Sequence, residues 1–214
     1  MILGGQGKNA EAEQMHKETL ALREKVSGKE HQCTLAGMGG LAAALSNEGK
    51  YVEAVQMFRE TLALAEKVLG KENPDTLITI NNLAVVLSYQ GKNAEAEQML
   101  RGALVVKEKV SGKEDPGTLL IRASLAMTLC GQGKNAEAEQ MHRETLALEE
   151  KVLGKEHPKT LISLINLAHV LSSQNKDTEA EQMYRETLVL MEKVSGKEHP
   201  NTLVAMSSLA HVLS

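Results

Sequence analysis

Between Thr76 and Tyr89 the apolar residues Leu77, Ile80, Leu83, Ala84 and Leu87 stand three and four apart. That is the spacing of one helical face and not the alternation of a strand. Asn73-Pro74 precedes the stripe and reads as a capping residue followed by proline at the first helical position, where a missing N–H removes no intrahelical bond. Asp115-Pro116, His157-Pro158 and His199-Pro200 repeat this start, whereas His31-Gln32-Cys33 lacks the proline. A second kind of segment, such as NAEAEQMLRGALVVKEKV at 93–110, opens with Asn and two Glu and closes with Lys109 before Gly112. Acid at the start and base at the end complement the helix dipole, so this segment also predicts a helix.

Both patterns recur with one period. Thr-Leu pairs begin at Thr34, Thr76, Thr118, Thr160 and Thr202, always 42 residues apart, with glycines at Gly28, Gly70, Gly112, Gly154 and Gly196. Gly-Lys at Gly7-Lys8, Gly49-Lys50, Gly91-Lys92 and Gly133-Lys134 becomes Asn175-Lys176 in the last copy, and Asn is the other residue that tolerates a left-handed backbone. Two breaks per period predict one helical hairpin per repeat. The expectation is an all-α chain of ten helices with no strand pattern. The 214 residues are five periods and four residues, so the ends fall inside repeats. They divide as one array over 1–214: a half-repeat 1–33, repeats 34–75, 76–117, 118–159 and 160–201, and a terminal helix 202–214. The chain thus reads as a piece of a longer array.

The run NNLAVVLSYQGKNAEAEQMLRGAL and its copy NLAHVLSSQNKDTEAEQMYRETL resemble tetratricopeptide repeats. They share small residues at Ala84 and Ala96, Leu87, a Gln-Gly turn and a second helix opening near Glu95-Ala96. The 42-residue period and the connector GKEHP-x-TL resemble the long repeats of kinesin light chains and nephrocystin-like proteins. The resemblance implies a right-handed superhelical solenoid of antiparallel hairpins. It also implies a protein-binding scaffold whose first helices line a concave groove for extended peptides.

Composition narrows the class further. With 42% hydrophobic and 24% charged residues, but one Phe, three Tyr and no Trp, the chain can bury a core, and that core is aliphatic. Twenty-four Lys and Arg against 28 Asp and Glu give a net charge of −4. There is no basic excess for nucleic acid or an anionic membrane, and neither is expected as a partner. No run approaches the ~18 apolar residues of a membrane span, and the start has no basic leader pattern. Cys33 and Cys130 occupy different repeat positions without a CxxC partner, which fits a reduced, cytoplasmic chain.

The candidate chemistry is sparse. Gly131 to Lys134 imitates the end of a phosphate loop, but Asn135 replaces the Ser or Thr and no strand precedes it, so it reads as a helix turn. Carboxylates such as Glu95, Glu97 and Glu108 recur from repeat to repeat, whereas catalysis needs one constellation, so they read as a solvated face. His169 and His211 share one position in adjacent repeats but lack further ligands for zinc. No enzyme activity, metal or cofactor is expected. Met15, Met57, Met99, Met141 and Met183 read as core filling.

Variation between repeats concentrates on one stripe of the first helices. It holds Gly39, Gly40, Ala43 and Asn47; then Asn81, Asn82, Val85 and Tyr89; then Ala123, Ser124, Met127 and Gly131; then Ile165, Asn166, His169 and Ser173; and finally Ser207, Ser208 and His211. The expected partner-binding residues are Asn47, Asn81, Asn82, Val85, Tyr89, Ser124, Met127, Ile165, Asn166, His169, Ser208 and His211. The first-helix segments carry one formal charge, Arg122, so the groove is expected to use amide hydrogen bonds and apolar contact and not a basic cluster. In kinesin light chains first-helix Asn residues clamp peptide backbone. Asn82 and Asn166 keep that position here, while Gly40, Ser124 and Ser208 replace it. The alternative is a structural module that self-associates, as a homo-oligomer, through this neutral face or by stacking of its end helices. Gly37, Gly39 and Gly40 mark their hairpin as the least stable part of the array.

Overall fold

The computed structural model describes the backbone of residues 3–213 and the side chains of residues 11–213. Among them are ten helices and no strand: α1 (Leu3–Ser27), α2 (Gln32–Asn47), α3 (Tyr51–Val68), α4 (Pro74–Tyr89), α5 (Asn93–Ser111), α6 (Pro116–Cys130), α7 (Asn135–Val152), α8 (Pro158–Ser172), α9 (Asp177–Ser195) and α10 (Pro200–Val212). The turn expected at Gly7-Lys8 falls within the bounds of α1, and the side chains there lie outside the described residues.

Two compact units divide the chain, Met1–Val110 and Ser111–Ser214. In the first, α1 packs on α2, α2 on α3, and α3 on α4, with α2 also touching α4. In the second, α6 to α10 pack each on the next, and α6, α8 and α10 also meet as a row. Each unit therefore has a layer of first-type helices (α2 and α4; α6, α8 and α10) laid on a layer of second-type helices.

The connectors explain the repeat markers. The Asn73 side chain accepts from the Asp75 N–H at 2.8 Å, and the Asp115 side chain from the Gly117 N–H at 3.2 Å. The Nδ1 atoms of His31, His157 and His199 accept from the backbone two residues on, each at 3.2 Å. These three histidines are helix caps, each satisfying an N–H the helix cannot. The recurring Thr is fully buried, and at Thr34, Thr118 and Thr160 its hydroxyl donates to the carbonyl of the connector glycine six residues earlier. Asn175 takes φ 60°, the left-handed conformation that glycine supplies at Gly49, Gly91 and Gly133. Gly131 to Lys134 is the closing turn of α6, with the Lys134 N–H on the Leu129 carbonyl at 3.0 Å.

The core is aliphatic. In the second unit Leu161, Leu167, Ala168, Leu171, Ala180, Tyr184 and Met191 form one buried cluster, with Met183 packed against it. Met57 packs likewise on Leu35, Met38 and Ala65. Met15 departs from the expected core role and is exposed. No first-type helix precedes α1 among the described residues, so the face that Met57 and Met183 bury is open there. One second-helix position carries His16, Phe58, Leu100, His142 and Tyr184 in turn. All but His16 are buried.

Charge lies mainly on the second helices and connectors. Lys67, Lys109, Lys151 and Lys193 reach back to Glu30, Glu72, Glu114 and Glu156, a ladder with the period of the repeat. These pairs are exposed and worth about 0.2–1 kcal/mol each. Glu139 is more enclosed: hydrogen bonds from Lys176, and then from Arg143 and Gln174, hold its carboxyl down to about 2.

In α2 a Cβ added at Gly39 meets nothing within 4 Å, whereas one at Gly37 comes within 3.1 Å of the Arg23 guanidinium. Gly39→Ala is therefore expected to stabilise the first unit by about 1 kcal/mol, since helical glycine is the more entropically costly residue and the site has room. Urea unfolding measures this. An unchanged or lower midpoint would show that glycine is not what weakens α2.

Candidate functional site

The surface of interest follows from helical geometry. In α4 the residues Ile78, Asn82, Val85 and Tyr89 lie four, three and four apart, one stripe on the side away from the second helices. Val85 and Asn82 are partly exposed, and Tyr89 is exposed with its ring 5.5 Å from Tyr51. The corresponding residues of α8 are Ile162, Asn166 and His169, with Ser173 just after its end, and those of α6 begin with Leu120 and include the exposed Met127. Asn47 ends the same stripe on α2, exposed.

The structure divides the expected residues into two sets. Asn82, Val85, Tyr89, Met127, Asn166, His169, Ser208 and His211, with Asn47, reach the surface at least in part. Asn81, Ser124 and Ile165 are buried. Positions Asn81 and Ile165 precede the stripe by one residue, a rotation of about 100° that turns them toward the neighbouring helix. The Oδ1 of Asn81 has no hydrogen-bond partner. Asn81 is therefore not presented as a surface clamp.

Arg122 is also internal. It is buried against α7, its guanidinium on the Glu144 carboxylate at 2.6 Å and on the Thr145 hydroxyl at 3.3 Å. The single charge of the first-helix segments is thus turned into the hairpin, and the stripe itself is neutral.

Four residues that sequence reasoning did not select complete the surface: Ile78, Leu120, Ile162 and Val204, exposed by 50%, 45%, 37% and 56%. Each stands two residues after the repeat threonine, where α2 has Ala36. Their signal was an apolar residue in every repeat one position beyond the core leucine. An apolar residue beside a core residue looks like more core.

Two cavities open along these rows, one in each unit. The first, about 540 Å³, lies among α2, α3 and α4 and is lined by Leu35, Ala36, Gly39, Ala65, Ile78, Thr79 and Asn82, among others. The second, about 260 Å³, lies among α6, α7 and α8 and is lined by Leu119, Leu120, Ala123, Glu149, Ile162, Ser163 and Asn166, among others. Residue for residue these are one site, displaced by two 42-residue periods. The sides of both are largely apolar, Asn82 and Asn166 hold the same place in each, and Asp75 of the first cavity is replaced by Lys159 in the second. The base differs: Ala65 in the first and Glu149 in the second. Glu149 is only 4% exposed. Burial pushes its carboxyl upward, against a hydrogen bond from Ser163 and the more distant charges of Lys159 and His157.

His169 and His211 come to one smaller cavity of about 210 Å³, with Tyr184 and Ser208. Among the described residues no group of three or more His, Cys, Asp or Glu side chains is placed to hold a metal ion. None of the described helices is long and apolar enough to cross a membrane. Cys33 and Cys130 are free thiols.

A sequence model of the tetratricopeptide repeat family matches residues 1–67, 34–109 and 117–193. No curated protein matches the chain. Among solved structures, the nearly identical TPR-like repeats of a kinesin-light-chain-like protein from Podosopora anserina are 26% identical. The TM-score is 0.70, and the match covers 89% of this chain and 90% of that one. BtubC (BKLC) from P. vanneervenii shares the fold at TM-score 0.71 and 19% identity, over 100% of this chain and 85% of that one. A Rap protein solved with Competence and Sporulation Factor matches at TM-score 0.58 and 14% identity, over 96% of this chain and 59% of that one.

Proposed function

We propose that this chain, which belongs to the tetratricopeptide repeat family, binds an extended polypeptide on the exposed face of its first-type helices and performs no catalysis of its own. Fold and family support a protein-interaction scaffold. One observation carries the finer reading: the same cavity occurs in both units, with apolar sides and an amide, Asn82 or Asn166, at the same point. A polypeptide offers what such a surface can use. Its backbone supplies donors and acceptors at a regular pitch for the amides, and its alternate side chains can enter the cavities. Exposed apolar residues on the first-type helices of each unit are otherwise a solubility liability, which is a reason to expect a partner over them. The two free thiols suit a reducing cytoplasm.

The test is selection from a random-peptide display library against the full chain, followed by Ile78→Asp and Ile162→Asp. A carboxylate on the rim leaves the fold intact, because both side chains are exposed, and is expected to weaken selected peptides by about tenfold or more. Asn82→Ala with Asn166→Ala separates the amide contribution. Peptides that bind all these variants equally well would remove the face from consideration.

Self-association is the second reading, favoured by α10, which exposes Leu203, Val204 and Met206. Light scattering across concentration decides it. Growth of the species that Met206→Glu suppresses supports self-association, and a constant mass excludes it.

A further inference from the structure

Two carboxylates of the second helices, Glu13 and Glu149, are buried, and their surroundings differ. Glu13 is ion-paired with both Lys17 and Lys50. Glu149 has no such pairing. Its neighbour Glu150 is half-buried on the same helix, and the repeat-equivalents of Glu149 are Arg23, Ala65, Lys107 and Met191, of which the last three are buried. A carboxylate at this place forfeits hydration, and its Oε2 has no hydrogen-bond partner. The other partnering available to it is the Ser163 hydroxyl. Lys159, exposed at the mouth of the cavity, acts on it through space without a hydrogen bond. A buried acceptor left short of partners is unfavourable, and it sits at the base of an open cavity whose sides include Leu119, Leu120, Leu153 and Ile162.

From this geometry we infer that the Glu149 cavity is a specificity subsite for a lysine or arginine side chain of the bound polypeptide. Apolar sides match the methylene stem of such a residue, and the carboxylate at the base matches its charged end, so that the ligand supplies the missing partner. Discrimination follows from the same physics. A neutral or acidic side chain entering the cavity leaves the carboxylate unpaired or repelled, while a cation satisfies it. The equivalent cavity of the first unit has Ala65 at its base, and its carboxylate, Asp75, is exposed at the place that Lys159 takes in the second, so it lacks the buried, partner-short acceptor on which this preference rests. The inference rests on the polypeptide-binding reading above and assigns its chemistry at one position.

The experiment displays a random-peptide library against the full wild-type chain and against Glu149→Gln, with Glu149→Met as a second variant that copies Met191. Thermal melts check that each folds. The expected result is enrichment of Lys or Arg at one register position with wild type. Both variants lose that enrichment by about tenfold or more, as removal of one buried charge partner implies, while preferences at other positions persist. Peptides selected without a cationic position, or a cationic position unaltered in both variants, would overturn the subsite and leave the binding face standing. Failure to select any peptide would overturn the binding face, and the subsite with it.

Discussion

His142→Leu is expected to stabilise the second unit at neutral pH and to abolish an acid-induced loss of stability worth about 3 kcal/mol. His142 lies in α7 with 1% of its surface exposed, and both ring nitrogens lack hydrogen-bond partners. A neutral imidazole always has one N–H and one lone pair to satisfy, so this side chain is unfavourable even uncharged. Burial alone lowers it from 6.5 to about 4. The unfolded chain therefore takes up a proton near 6.5 while the folded unit resists until about 4. The stability is fully present above 6.5 and drains away as the pH falls to about 4. Against the about 5–15 kcal/mol typical of a domain, that loss is large. The repeats themselves supply the replacement, because Leu100 occupies the equivalent position in α5 with no exposure. Urea unfolding by far-UV circular dichroism at a series of pH values measures the effect, and parallel curves for wild type and His142→Leu would refute it.

Glu149→Met is expected to stabilise the same unit by about 1–3 kcal/mol, the cost of a buried acceptor left short of partners. Met191, at the same repeat position in α9, is already part of the buried cluster. The pH signature is opposite to that of His142. Burial raises the Glu149 carboxyl above 4.5, so the folded unit keeps a proton that the unfolded chain has released. Stability from this group falls as the pH rises from about 4.5 through the raised value. The two groups thus work against each other in mildly acidic solution. Glu149→Met unmasks the acid loss due to His142, and His142→Leu unmasks the rise in stability on acidification due to Glu149. A pH profile unchanged in shape by Glu149→Met would show that its carboxyl is not desolvated. The gain in stability is expected to accompany loss of the Lys or Arg preference, because the group that destabilises the fold is the one that discriminates the ligand.

Helix positions were legible to within a few residues because their signals are local. Asn73-Pro74 caps and starts α4 whatever packs on it, and Asn175 reveals a left-handed turn by being the one residue type that can stand in for glycine. The binding face was legible only as a direction around the helix. Asn81 and Asn82 are adjacent, identical in chemistry and both variable across repeats. A rotation of about 100° places one inside and the other on the surface, and that phase depends on where the next helix packs. Ile78 was passed over for the complementary reason, since an isoleucine beside Leu77 is indistinguishable from core until its exposure is seen. Arg122, the lone charge among the first-helix segments, would have marked the face as basic if the hairpin had not turned it toward Glu144.

Glu149 and His142 mark the limit most plainly. In LALEEKV the two glutamates at 149 and 150 look like one solvated pair, and His142 looks like His16, which is exposed. Period, helix count, caps, turn residues and an aliphatic core were all written in the chain, because hydrogen bonding along a helix and at its ends involves residues a few positions apart. Which side of each helix is closed, and therefore which glutamate lacks water and which asparagine can meet a ligand, was decided by packing between helices. Burial of a single side chain depends on atoms contributed from distant parts of the chain, and a repeat that varies one residue at a time can change a cavity's chemistry without disturbing the pattern that announces it.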